Sequence, residues 1–172
     1  MWYHSITDKS WTKGSYKHIY EIKNIFDLKG VQDKLQKHHL QNGMFFIMRD
    51  GIFPTWEDPD NREGCCVSFK IPGDILKDEW DRLMILVLGE SILKDSETFN
   101  EITGISIAPK KEFNIIKIWF SDHTFDYKKY FIEDDNYFRL DKHNNLVFGG
   151  GVSYSNVDPL SLEKSLKKSK FK

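Results

Sequence analysis

The stretch "DEWDRLMILVLGES", residues 78–91, constrains the fold more than any other part of the chain. Trp80, Leu83, Met84, Val87 and Leu88 recur at helical spacing, and Asp78, Glu79 and Asp81 load the start, where the helix dipole favours anions. A helix with one apolar stripe must lay that stripe on another element. The surrounding sequence supplies strands for it. "GMFFIMRDGI" reads as a strand running into an Asp-Gly turn, and "CCVSFKI" as a strand bounded by Pro72-Gly73. "ITGISIA" and "FNIIKIWF" read as two strands joined by the turn "PKKE", and "HIYEIKNI" alternates as a half-buried strand does. A short helix is predicted across "KGVQDKLQKHH" on the stripe Val31, Leu35 and His38, a third helix across "FDYKKYFIEDDNYF", and a last strand in "NNLVFGGG". Antiparallel strands with three interspersed helices give an α+β domain: one sheet, helices on one face, and the other face left for something else.

The 172 residues suit one domain, without internal repeat, at 1–157, followed by a basic tail at 158–172 ending "SLEKSLKKSKFK". With 25 basic against 26 acidic residues, no broad cationic face for duplex DNA is expected, so an anionic ligand must be met locally. No apolar run approaches the ~18–20 residues that span a bilayer, and "MWYHSITDKS" lacks the plan of a secretory signal. Adjacent Cys65 and Cys66 suit neither a staple nor a zinc site, which points to a reducing, cytosolic setting. Only four Arg beside many Lys, with abundant Ile, Asn and Phe, fit an AT-rich genome of viral or parasitic kind.

Five tryptophans need accounting for. Trp80 belongs to the helical stripe and Trp2 to the packing of the first strand. Trp11, Trp56 and Trp119 instead sit in "DKSWTKGS", "PTWEDPD" and "KIWFSDH", beside polar or turn residues. They are either amphipathic surface rings or the walls of a slot for a flat, cationic ligand, stacking at ~1–3 kcal/mol per face. Glu57 sharpens the second reading. A carboxylate offers only acceptors and matches an edge with two adjacent donors, such as guanine N1–H and N2–H₂, while adenine N1 is an acceptor.

Two rival readings of the loop are weaker. Asp58, Asp60 and Glu63 have something of a calcium loop's spacing, but Pro59 intrudes and the other ligands are missing. A hydrolytic carboxylate pair finds no partner motif: no Gly-x-Ser-x-Gly, Walker loop or His-Glu-x-x-His occurs. No catalytic residue, metal site or cofactor is expected. His38 and His39 read as helix surface.

"DGIFPTWEDPDNREG" resembles the Asp-Gly-Ile-x-Pro-x-Trp-Glu-Asp loop of eukaryotic translation initiation factor 4E, the family that binds the messenger RNA 5′ cap. "WDRLMILVLGES" is similar to its helix ending in Gly-Glu-Ser, "GISIAPKKEFNIIKIW" matches without a gap from Gly104 to Trp119, and "DKSWTKGSY" resembles its first cap-facing loop. The resemblance covers most of residues 2–150. It implies a curved antiparallel sheet of about eight strands, its concave face holding the cap and three helices on the convex face. Trp11 and Trp56 would sandwich 7-methylguanine, Glu57 would accept from the guanine donors, Trp56 N–H would meet O6 and Trp119 the N7-methyl group. N7-methylation makes the base cationic, so stacking gains a cation–π contribution. The expected role is in translation initiation, in the cytoplasm, a host's cytoplasm for a virus-encoded protein. The alternatives are an adaptor or repressor that binds protein or sequesters capped RNA without the usual scaffold, and, weakest, a hydrolase of capped ends.

Departures accompany the resemblance. Of the family's basic phosphate-clamp positions, Lys110 fills one, with Lys111 beside it, whereas Ile115 and Cys66 fill two others. On the helical side, Val31 and Leu35 stand for the family's Val and Trp that receive Tyr-x-x-x-x-Leu helices. Asp81 replaces an apolar residue there and Arg82 an acidic one, while Ile85 and Gly89 fit. The expected partners are therefore capped mRNA and a scaffold or repressor protein of a different type, with neither DNA nor membrane.

Overall fold

A computed structural model of the chain describes residues 1–95 and 97–124, with the backbone of two short strands at Arg139–Leu140 and Leu146–Val147. Six strands form one antiparallel sheet: β1 (Trp2–Ser5), β2 (Tyr16–His18), β3 (Gly43–Met48), β4 (Cys65–Pro72), β5 (Ile102–Pro109) and β6 (Phe113–Phe120). Their order is β2-β1-β3-β5-β6-β4; Arg139–Leu140 (β7) and Leu146–Val147 (β8) pair separately. The α-helices among the described residues are α1 (Ile25–Lys34), α2 (Lys37–Asn42) and α3 (Leu76–Leu88). This is the expected α+β class, its eight strands divided six and two. The predicted third helix at 125–138 and the tail from 158 lie outside the described residues.

Strand alternation gives the sheet two apolar faces. Phe45 and Ile47 of β3, Val67, Phe69 and Ile71 of β4, Ile105 and Ile107 of β5, and Ile116 and Ile118 of β6 are all buried with the helices in one core. The intervening Phe46, Cys66 and Trp119 join Tyr16, and with Trp2, Met44, Met48, Phe53 and Trp56 make a separate cluster to which no helix residue contributes. The period of two in these strands thus sends one set of side chains to the helices and the other to the opposite face.

Helix α3 fits its pattern: Leu76, Trp80, Leu83, Met84 and Val87 are buried at three- and four-residue steps. Gly89 ends it, its N–H donating to Ile85 O, and Glu90 takes the left-handed φ of 52°. The single helix predicted across residues 29–39 is instead two. Asn24 caps α1 by accepting from Phe26 and Asp27 N–H at 2.9 and 3.1 Å, so the helix begins earlier. It stops at Lys34, because Gln36 is extended and starts α2 through a capping box with His39. His39 therefore does more than decorate a surface: its Nδ1 accepts from Gln36 N–H at 3.0 Å. "HIYEIKNI" is not a strand beyond His18, where β2 ends. Ile19 and Tyr20 N–H both bond to Met1 O, and the chain then leaves the sheet for the Asn24 cap.

Leu83→Ala, at a fully buried position, should cost about 2–5 kcal/mol in urea unfolding, whereas Ile85→Ala on the outer surface of α3 should stay within about 0.5 kcal/mol.

Candidate functional site

The strand order dictates where the Trp56 loop must go. β3 ends beside Gly104, Gly104 pairs with Trp119, and Trp119 pairs with Cys66 at the start of β4. The connection from β3 to β4, residues 49–64, therefore passes over one end of β5 and β6. That crossing lays Trp56 on Trp119, ring centroids 4.5 Å apart at 30°. Trp119 is buried and fixed, its Nε1–H donating to Ser106 Oγ at 2.8 Å.

The loop is locked from within. Asn61 is buried and its Nδ2 donates to Phe53 O at 3.0 Å and Thr55 O at 2.9 Å. Asp58 accepts from Phe53 N–H at 3.0 Å and Asp60 N–H at 3.1 Å, an Asx-type arrangement, so this carboxylate shapes the turn. Pro54 is buried. At the loop's exit, a Cβ on Gly64 would lie 1.8 Å from Phe120 O, so only glycine fits. Among the described residues no group of three or more His, Cys, Asp or Glu could hold a metal ion.

The second wall comes from the opposite end of the sheet. The connection from β1 to β2 carries Trp11, 57% exposed, stacked on His4 with centroids 4.3 Å apart and planes within 4°. His4 is fully buried, its Nε2 3.1 Å from Ser10 O. Each indole thus has one face backed by another ring. The floor is Tyr16, Phe46, Phe53 and Trp2, in edge contacts such as Trp2–Phe53 at 4.9 Å and Tyr16–Phe53 at 5.2 Å. Burial pushes the Tyr16 phenol up to about 12, with the Glu57 carboxylate adding to the effect, which places Glu57 within electrostatic range of the floor. Glu57 itself is exposed and has no ion-pair partner among the described residues, and Trp56 N–H donates to no acceptor there.

Of the expected phosphate contacts, Lys110 is exposed in the turn between β5 and β6, its N–H donating to Phe113 O at 2.8 Å. That turn lies at the other end of β6 from Trp119. Ile115 and Cys66 share the face of Trp119, as strand parity requires. Sequence reading passed over three contributors. His4 alternates with Trp2 on β1, and Lys117 is the one charged residue inside β6, two residues before Trp119; both carry a period-two signal. Asn61 carries none, because its role depends on a loop path set by strand order. Two cavities, of about 460 Å³ around residues 47–53 and about 440 Å³ beside α1, include none of Trp11, Trp56, Glu57 or Trp119. The aromatic face is covered in part by the 49–64 loop through Phe53 and Trp56, with Trp11 exposed at its other end.

On the helical side, Val31 and Leu35 are each 8% exposed and pack inward. The reason is the narrow stripe of α1, where Leu28 and Val31 serve the core. The two only help line the smaller cavity, with Ile19, Tyr20 and Phe45. The apolar side chains standing outside are Ile25 and Phe26 on α1 and Ile85 on α3. Gly89 is exposed, and Asp81 pairs with Lys77 along α3 while its carbonyl accepts from Gln32 Nε2 at 3.2 Å.

A sheet backed by helices on one face, with two ring-backed indoles over an aromatic floor on the other, defines an α+β module with one aromatic face. The chain belongs to the eukaryotic initiation factor 4E family, whose model matches residues 1–156. A eukaryotic translation initiation factor 4E homolog of Acanthamoeba polyphaga mimivirus is 32% identical over 90 residues, 52% of this chain and 33% of that protein. The initiation factor 4E of Candida albicans is 32% identical over 83 residues, 45% of this chain and 38% of its own. The chain therefore spans between about a third and two fifths of these curated relatives. Among solved structures, C. elegans eIF4E-3 in complex with the 4E-binding protein Mextli and cap analog superposes with a TM-score of 0.64 at 20% identity, covering 73% of this chain and 72% of that one. Ascaris suum eIF4E-3 with m7G cap gives 0.63 at 18% identity, covering 71% and 69%. These likenesses establish the shared fold.

Asn61→Ala should cost about 1–3 kcal/mol and speed amide exchange across residues 53–61, because it removes the donor that two loop carbonyls share. Urea unfolding and hydrogen exchange measure both.

Proposed function

We propose that the chain binds the 7-methylguanosine end of capped messenger RNA, without catalysing a reaction, and acts in translation initiation in the cytoplasm. The base stacks between Trp11 and Trp56, Glu57 accepts from guanine N1–H and N2–H₂, Trp56 N–H donates to O6, and Trp119 lies against the N7-methyl group. Lys110 serves the phosphates. The observation that carries this reading is the pair of indoles, each backed on one face by a fixed ring. Support also comes from the unpaired Trp56 N–H and the unpaired Glu57 carboxylate beside it. A carboxylate, a free N–H and two π faces match a cationic purine with two donors and one acceptor on its edge. Two of the structural neighbours are complexes with a cap analog or m7G cap.

A protein partner docks on the helical side. Ile25 and Phe26 at 66% and 83% exposure, with Ile85 at 47%, are large apolar groups left in water there, and the partner helices of the usual scaffold type lose the Val31 and Leu35 contacts. A labelled Tyr-x-x-x-x-Leu peptide should accordingly bind weakly or not at all, and tight binding in a fluorescence-anisotropy titration would contradict this.

Titration with 7-methylguanosine triphosphate should quench tryptophan fluorescence, with GTP weaker by about 10- to 100-fold, since stacking of a cationic ring gains ~1–3 kcal/mol. Equal responses to the two nucleotides, or none, would sink the cap reading. Glu57→Ala should erase most of the selectivity for guanine by leaving its donors without acceptors.

A further inference from the structure

We propose that Lys117 receives the phosphate chain of the ligand, supplying the positive charge that Cys66 and Ile115 do not. The proposal rests on the cap reading above and names the residue that completes its site. Lys117 Nζ stands 5.8 Å from the centroid of the Trp56 ring, at the edge of the aromatic site. It is half-buried, lies inside a strand on the aromatic face, and among the described residues no carboxylate pairs with it. An ammonium held over an indole, with no carboxylate to neutralise it, is placed to receive an anion at the edge of that ring.

Its neighbours point the same way. Lys117 pairs with Ser68 on β4 and Ser106 on β5, so both hydroxyls stand in its row on the same face. Ser68 is 7% exposed and its Oγ has no hydrogen-bond partner. Ser106 Oγ accepts from Trp119 and keeps its own proton to give. Both serines are buried, so the ammonium of Lys117 is the group of this row that meets the phosphate oxygens, with the unpartnered Ser68 hydroxyl beneath it. The ammonium also acts at Cys66: burial drives that thiol's pKa up, and Lys117 pulls against the rise. Its field therefore covers the place where the family resemblance expects a cation on β4.

Position along β6 favours Lys117 over Lys110. Lys117 is two residues from Trp119, roughly 7 Å along the strand, whereas the turn bearing Lys110 lies beyond Phe113, roughly 20 Å away. Phosphates leaving a ribose beside Trp56 and Trp119 meet Lys117 first, and Lys110 can serve only the far end.

The test measures how much affinity the phosphates add. Wild-type, Lys117→Met, Lys117→Gln, Lys117→Arg and Lys110→Met proteins are titrated with 7-methylguanosine and with its triphosphate, at low and high salt, by tryptophan quenching. In wild type the triphosphate should bind far more tightly than the nucleoside. Lys117→Met and Lys117→Gln should each cut that ratio about 10-fold or more and flatten its salt dependence by about one contact, Lys117→Arg should largely restore it, and Lys110→Met should reduce it less. Two neutral variants guard against one that folds poorly, checked by urea midpoint. If both keep the full ratio and salt slope while wild type binds the nucleoside, Lys117 has no such role and the cap reading stands. If wild type quenches with neither ligand, the cap reading fails and this proposal with it.

Discussion

The whole arrangement depends on one imbalance: the sheet has two apolar faces, and the described helices cover only one. Burial of α3 and the strand residues beneath it drives folding in the ordinary way, with Trp80, Leu83 and Met84 fully excluded from water. The opposite face must then satisfy its apolar groups among themselves. It does so with rings in edge-to-face contact, Tyr16–Phe46 at 5.6 Å within the sheet and Trp2–Phe53 at 4.9 Å to the loop that crosses it. The floor is thereby packed without any helix. A helix laid across it would have made a better core and no site.

Strand order then converts that floor into a clamp. Because β3 and β4 are separated by β5 and β6, their connection must cross the sheet's end, and it delivers Trp56 to Trp119 without any contribution from sequence proximity. The same crossing forces the loop into a tight path, which Asn61, Asp58 and the glycine against Phe120 O make rigid. On the other side, the buried imidazole of His4 props Trp11. Both indoles are oriented by protein contacts before any ligand arrives, so less side-chain entropy remains to be lost on binding.

Most of the fold was legible because its signals are local. The stripe of α3 and the alternation in β3 to β6 are decided by spacing alone, and the residues concerned sit where that spacing puts them. The errors fell where a competing interaction acts at short range. Asn24 and Gln36 each offered the backbone a cap, which cut one expected helix into two and stopped the strand expected after His18. Of the proposed site, Trp11, Trp56, Glu57 and Trp119 stand out in the sequence as polar-flanked aromatics and their carboxylate neighbour. Asn61, Ser68 and Lys117 could not be ranked without pairing partners: a lysine in a strand is ordinary until one knows that the hydroxyls beside it and the indole above it belong to three other segments.

The two walls stand on connections at opposite ends of the sheet, one from β1 to β2 and one from β3 to β4. Neither indole touches the other; each leans on its own support. A ring gripped by both would therefore be a mechanical brace, tying an edge hairpin to the loop that feeds the opposite edge strand. Load applied through the ligand would spread across the full width of the sheet, and would not be borne by a single turn.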